Sequence, residues 1–180
     1  MIHVQRLAVF GFTAMAMLSA WAANAQCYQF SATAANGGKG GPVSLTLDFK
    51  NLPPPATSGV PGSTDVTYFW YSHAGATVPL PGASVSLIDA GTSYPTKLTQ
   101  VYITLSVSNV TTFRAVLFSN NFGGYPTITL SGPGNLLPNG VLPLDLPPIS
   151  AWTSNATLLI NLPPPNSGSF TVTSISRCPG

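Results

Sequence analysis

The 180-residue sequence contains no glutamate and four aspartates, and beyond its first 25 residues it has one histidine, His73. Side chains that carry protons near neutral pH are therefore too few for most acid–base or metal-assisted chemistry to be read from the chain. Charge of either sign is scarce, at 6% of residues. Arg6 lies in the N-terminal segment, and the remaining five Lys/Arg face four Asp, so the pI near 8.7 reflects a small imbalance among few charges. Nucleic-acid binding draws most of its affinity from clustered Lys and Arg, and no such cluster exists. Also missing after the N-terminal segment are methionine, any helical hydrophobic period and any long apolar run. Cysteine occurs twice only, at Cys27 and Cys178.

The N-terminal segment itself has a clear pattern. His3 and Arg6 give a weakly basic start, an apolar run extends over 7–18 with only Gly11 and Thr13 relieving it, and Ala23-Asn24-Ala25 has the small-x-small form that a signal peptidase accepts. Cleavage after Ala25 is expected. The competing reading, a retained anchor helix, needs about 20 apolar residues and a charged stop behind them. The next charge is only at Lys39, so no membrane span is expected once the signal is removed. Lipid anchoring wants a small residue before the cysteine, where Gln26 stands. Removing 25 of 180 residues leaves 155, one domain by length and enough to bury a core unaided.

An exported chain folds where disulfides persist, and two cysteines allow one bridge. A Cys27–Cys178 link closes nearly the whole mature chain, and in the chain-entropy model a loop that long is worth on the order of 5 kcal/mol. It requires the first and last segments to lie side by side, Cα atoms within about 7 Å. The alternative is two free or intermolecular thiols.

What is abundant is alternation. Val43, Leu45, Leu47 and Phe49 alternate with Ser44, Thr46, Asp48 and Lys50, as in a strand with one dry and one wet face. Val101, Ile103, Leu105 and Val107 alternate with Tyr102, Thr104, Ser106 and Ser108 in the same way. Further strands are expected at 28–33, 66–72, 84–88, 113–119, 127–130, 157–161 and 169–176. Turn clusters such as Pro61-Gly62, Gly132-Pro133-Gly134 and Asn139-Gly140 fall between them. Eighteen Pro and seventeen Gly would suggest disorder in a polar chain, but 44% of residues are apolar, so the prolines punctuate short strands. The expected fold is all-β: one antiparallel β-sandwich, Ig-like or jelly-roll-like, over 26–180, with neighbouring first and last strands.

Asn51-Leu52-Pro53-Pro54-Pro55 recurs as Asn161-Leu162-Pro163-Pro164-Pro165, with a partial copy at Asp145-Leu146-Pro147-Pro148. A stiff polyproline ridge can be read by an aromatic groove. More commonly it ends a strand and keeps an edge from pairing.

The segment most suggestive of function is Val66-Thr67-Tyr68-Phe69-Trp70-Tyr71-Ser72-His73. Alternation puts Tyr68 and Trp70 on one face and Phe69 and Tyr71 on the other, so both faces carry large rings. One face meets the core. The other is either covered by a loop or left as an aromatic platform of the kind that stacks on sugars. Trp152, Tyr94, Tyr102 and Tyr125, in or beside loops, would extend it or act as local packing plugs.

No catalytic group is assigned. A Ser/His/Asp arrangement would rest on His73 with Asp48, Asp65, Asp89 or Asp145, and no Gly-x-Ser-x-Gly elbow accompanies a serine. Scattered Asp residues do not mark a glycosidase pair or a calcium loop. Gly37-Gly38-Lys39-Gly40-Gly41 lacks the Ser/Thr and the helix of a phosphate loop. No metal and no cofactor are expected.

These readings converge on a non-catalytic module, secreted, periplasmic or displayed on the cell surface, with a structural or adhesive role. Its partner would be a second copy of itself or another extracellular molecule, because a surface so low in charge does little to keep neighbours apart. The alternative is a carbohydrate-binding module using Tyr68, Trp70, Tyr71 and Trp152. A hydrolase centred on His73 is the third reading.

Overall fold

The period-two pattern is realised as strands throughout, with no α-helix among the described residues. The computed structural model describes residues 26–179 apart from 35–41, 51, 72–74, 76, 122–124, 135, 144–145, 154–155 and 161–167. The expected signal peptide, His73, Asp145, the glycine-rich turn at 36–41 and the second Leu-Pro-Pro-Pro copy lie outside the described residues.

Eleven strands follow one another: β1 (Gln26–Ala34), β2 (Val43–Phe49), β3 (Ala56–Ser58), β4 (Val66–Tyr71), β5 (Ala83–Asp89), β6 (Thr92–Tyr94), β7 (Lys97–Leu105), β8 (Val110–Phe118), β9 (Thr127–Pro133), β10 (Thr157–Ile160) and β11 (Gly168–Arg177). Short 3-10 turns occupy Pro138–Gly140 and Ile149–Ala151. All strands belong to one antiparallel sheet ordered β3-β4-β7-β8-β9-β10-β11-β1-β2-β5-β6. The class is the expected one, while the hydrogen bonding forms one continuous sheet where two facing sheets were expected. Both edges, β3 and β6, are three residues long, which leaves little unpaired backbone for a foreign strand.

Val43, Leu45, Leu47 and Phe49 of β2 all point inward, as their spacing predicts. They share one hydrophobic cluster with Val101 and Ile103 of β7 and Phe113 of β8, strands far away in the sheet order. Side chains from one face of one sheet meet in this way only if the sheet bends back on itself. Each Leu or Phe so buried is worth about 1.5–3 kcal/mol. Two bulges assist the bend by adding twist. In β7 the register shifts between Leu98 and Gln100, and the intervening Thr99 is buried with its hydroxyl bonded to Val116 O at 3.1 Å. In β11 the shift falls opposite Ser31/Ala32, where Thr173 donates its hydroxyl to Ser31 O at 3.2 Å.

The expected second strand through Val107 stops early. β7 ends at Leu105, and Val107 is exposed in a tight turn whose N–H donates to Asp65 Oδ1 at 3.0 Å. Asn109 closes that turn at φ 59°, a left-handed conformation that asparagine tolerates.

The disulfide is formed as expected. β1 and β11 are antiparallel neighbours, the Cα atoms of Cys27 and Cys178 are 5.3 Å apart, and Cys178 N–H donates to Cys27 O at 3.0 Å. A bridge is consistent with an oxidising extracellular or periplasmic setting.

Candidate interaction face

Inward residues of β4 pack into or against the core. Trp70 is 6% exposed and its indole N–H donates to Pro53 O at 2.7 Å. Trp152, 5% exposed, donates likewise to Pro147 O at 3.0 Å. Two of the leucine–proline runs thus do the same job. The leucine, Leu52 or Leu146, packs against or within the core, and the following proline offers a carbonyl to a buried indole. Proline suits this position because it accepts a hydrogen bond without bringing an N–H that also needs a partner. Tyr28 repeats the pattern with its hydroxyl on Pro143 O, as does Ser119 on Pro95 O. Tyr68 is half-buried, with Gly140 lying so close against its ring that a Cβ at Gly140 would clash with Tyr68 Cδ2.

Of the four expected ligand-binding residues, Tyr68, Trp70 and Trp152 are therefore turned towards the core, and only Tyr71 faces solvent, 40% exposed. The reason is the strand's own alternation. The inward set Val66, Tyr68 and Trp70 fills the core, leaving Thr67, Phe69 and Tyr71 outside.

The outer face gains a partner that the segment alone does not reveal. Pairing of β4 with β7 sets Phe69 opposite Tyr102, Tyr71 opposite Gln100 and Thr67 opposite Thr104. Phe69 packs beside Tyr71 with ring centroids 5.5 Å apart and beside Tyr102 at 6.5 Å, its plane inclined by 28° to each, so the three rings form one aromatic cluster. The Tyr102 hydroxyl donates to Gln100 Oε1 at 2.7 Å, and Thr67 and Thr104 share a hydrogen bond of 3.0 Å. At the sheet edge β3 places only Ala56 and Ser58 beside Phe69 and Thr67, too small to cover the rings. Tyr102, which the sequence placed both in the alternating run of 101–108 and among residues beside loops, stands in mid-strand. Phe69 was legible from alternation alone, whereas Tyr102 joins it only through the register.

The same register continues the row. Arg114 lies opposite Tyr102, Thr129 opposite Arg114, Thr157 opposite Thr129 and Thr171 opposite Thr157. Arg114 is exposed, and no described carboxylate lies within ion-pair distance of it. Of the other expected extensions, Tyr125 is exposed beside Phe118, with ring centroids 5.7 Å apart, and Tyr94 packs against the core.

The described carboxylates do not come together. Asp65 accepts from Ser106 Oγ and Val107 N, both at 3.0 Å, and fixes the turn after β7. Asp48 pairs loosely with Lys50 at 3.5 Å. It lines a shallow depression of about 380 Å3 beside the disulfide, together with Gln29, Thr46 and Ser86. Asp89 is buried at the end of β5, and burial raises its pKa above the ordinary carboxylate value. Among the described residues no group of three or more His, Cys, Asp or Glu could hold a metal ion, and no helix is long and apolar enough to cross a membrane.

Comparison with protein-family models, curated proteins and solved structures found no match.

Proposed function

We infer that the protein is exported, loses residues 1–25, and works outside the cytoplasm as a non-catalytic interaction module. Its curled sheet, by this reading, brings its two halves face to face as a sandwich. The observation that carries the reading is the row of Phe69, Tyr71 and Tyr102 on the outer face of β4 and β7. These rings lie outside a core that already holds Trp70 and Trp152, with Tyr71 exposed and Phe69 and Tyr102 half-buried, and large rings so placed are favoured in contact surfaces. Support also comes from the disulfide that ties the chain ends, and from the separate structural duties of Asp48 and Asp65.

The test is direct. Material recovered from the producing cells is expected to begin at Gln26 and to co-sediment with the host's envelope or with itself. Replacing Phe69 and Tyr102 together by Ala is expected to reduce that co-sedimentation at least tenfold while the circular dichroism stays β-type. An intact Met1 on the exported protein, or undiminished co-sedimentation of the double variant, overturns the reading.

A further inference from the structure

We propose that the outer face of β4, β7, β8, β9, β10 and β11 is a binding site for a linear, uncharged polysaccharide, whose sugar rings stack against Phe69, Tyr71 and Tyr102. The proposal rests on the interaction reading above and names its ligand.

Three features favour this occupant. The first is the aromatic cluster of Phe69, Tyr71 and Tyr102, whose rings suit the apolar C–H face of a pyranose, since the ring face is electron-rich and the C–H groups carry slight positive charge. The second is the line that leaves the cluster. From Phe69 and Tyr102 it runs through Arg114 to Thr129, Thr157 and Thr171, one side chain per strand over six neighbouring strands. Strands lie about 4.8 Å apart, so the line is about 24 Å long measured along the curved sheet, a length suited to a flexible chain and excessive for a single sugar. Its threonine hydroxyls both donate and accept, as sugar hydroxyls do, and Gln100 keeps an amide NH2 beside the rings while its Oε1 is held by Tyr102.

The third feature is charge. Arg114 is the single charged residue along this line, and a polyanion needs clustered cations to be held. Arg114 serves instead as a fork of donors to sugar oxygens. A protein partner would call for a contiguous apolar centre, whereas here the rings give way within two strands to hydroxyls.

The experiment is affinity gel electrophoresis of the mature, disulfide-bonded protein through gels containing xyloglucan, glucomannan, β-1,3-glucan or dextran, with alginate as the charged control. Wild type is expected to be retarded by at least one neutral polymer. Phe69→Ala/Tyr102→Ala is expected to lose at least tenfold in affinity, and Thr157→Val, which changes shape least, a few-fold. Thermal melting of each variant separates lost binding from lost folding. The proposal falls if no neutral polymer retards the wild type, if alginate alone does, or if the double variant melts as wild type and binds undiminished. Envelope co-sedimentation that depends on Phe69 and Tyr102 without retardation by any neutral polymer defeats the sugar ligand and leaves the interaction reading standing. Loss of neither property on substitution defeats both.

Discussion

Asp89 sits nearly out of reach of water with Oδ1 lacking a hydrogen-bond partner among the described residues. Desolvation disfavours its ionised form and raises its folded-state pKa above the unfolded value of 3.8. A raised carboxyl contributes its full share of stability below the unfolded value and loses it as pH rises through the folded one. Asp89→Asn, which has no charge to bury, is therefore expected to melt close to wild type near pH 3 and above it at pH 7. Melting curves from pH 3 to pH 8 check this, and a constant gap between the two proteins would contradict it. Trp70 and Trp152 show the same economy with opposite sign: each buried polar atom has a partner, supplied by a proline carbonyl.

At the scale of elements, the hairpin from β5 to β6 is the most exposed to improvement. Asp89 pairs with Thr92, so two residues make the turn, Ala90 at φ 47° and Gly91 at φ 82°. Both central residues are left-handed, as the turn type that matches strand twist requires, and glycine or asparagine is preferred there. Alanine at Ala90 pays a steric cost that asparagine largely avoids. Ala90→Asn is expected to raise stability by about 0.5–1 kcal/mol, read as a higher urea midpoint at unchanged slope. The long alternating strands β2 and β7 were legible because half of each is buried. The three-residue strands β3 and β6 were not, because so short an edge carries no period to read. Val107 misled for a related reason: alternation continued past Leu105, but the chain turns there, closed by backbone bonds between Ser106, Asn109 and Val110 and by Val107 N–H donating to Asp65.

For the whole molecule, the Cys27–Cys178 bond closes a span of 151 residues and joins the first strand to the last. Cys27→Ser/Cys178→Ser is expected to lose about 2–5 kcal/mol, seen as a lower urea midpoint, with reduced wild type behaving like the variant. An unchanged midpoint would mean that the β1–β11 ladder holds the ends together unaided. The sheet places the two halves of the chain around one core, so removing the clasp is expected to lower both halves together in a single transition.

Local pattern settled several matters by itself. A period of two assigned Val43, Leu45, Leu47 and Phe49 to the dry side and separated Tyr68 and Trp70 from Phe69 and Tyr71, while a pair of cysteines admitted one intramolecular bridge. It did not say which of the two ring-bearing faces of β4 would meet the core, nor that Tyr102 and Arg114 would come to stand beside Phe69. Those outcomes depend on which strands pair and in what register, which is a long-range choice made by packing and chain connectivity. For the same reason the four-residue aromatic group of the sequence was divided, and the row on the outer face was assembled from segments more than thirty residues apart.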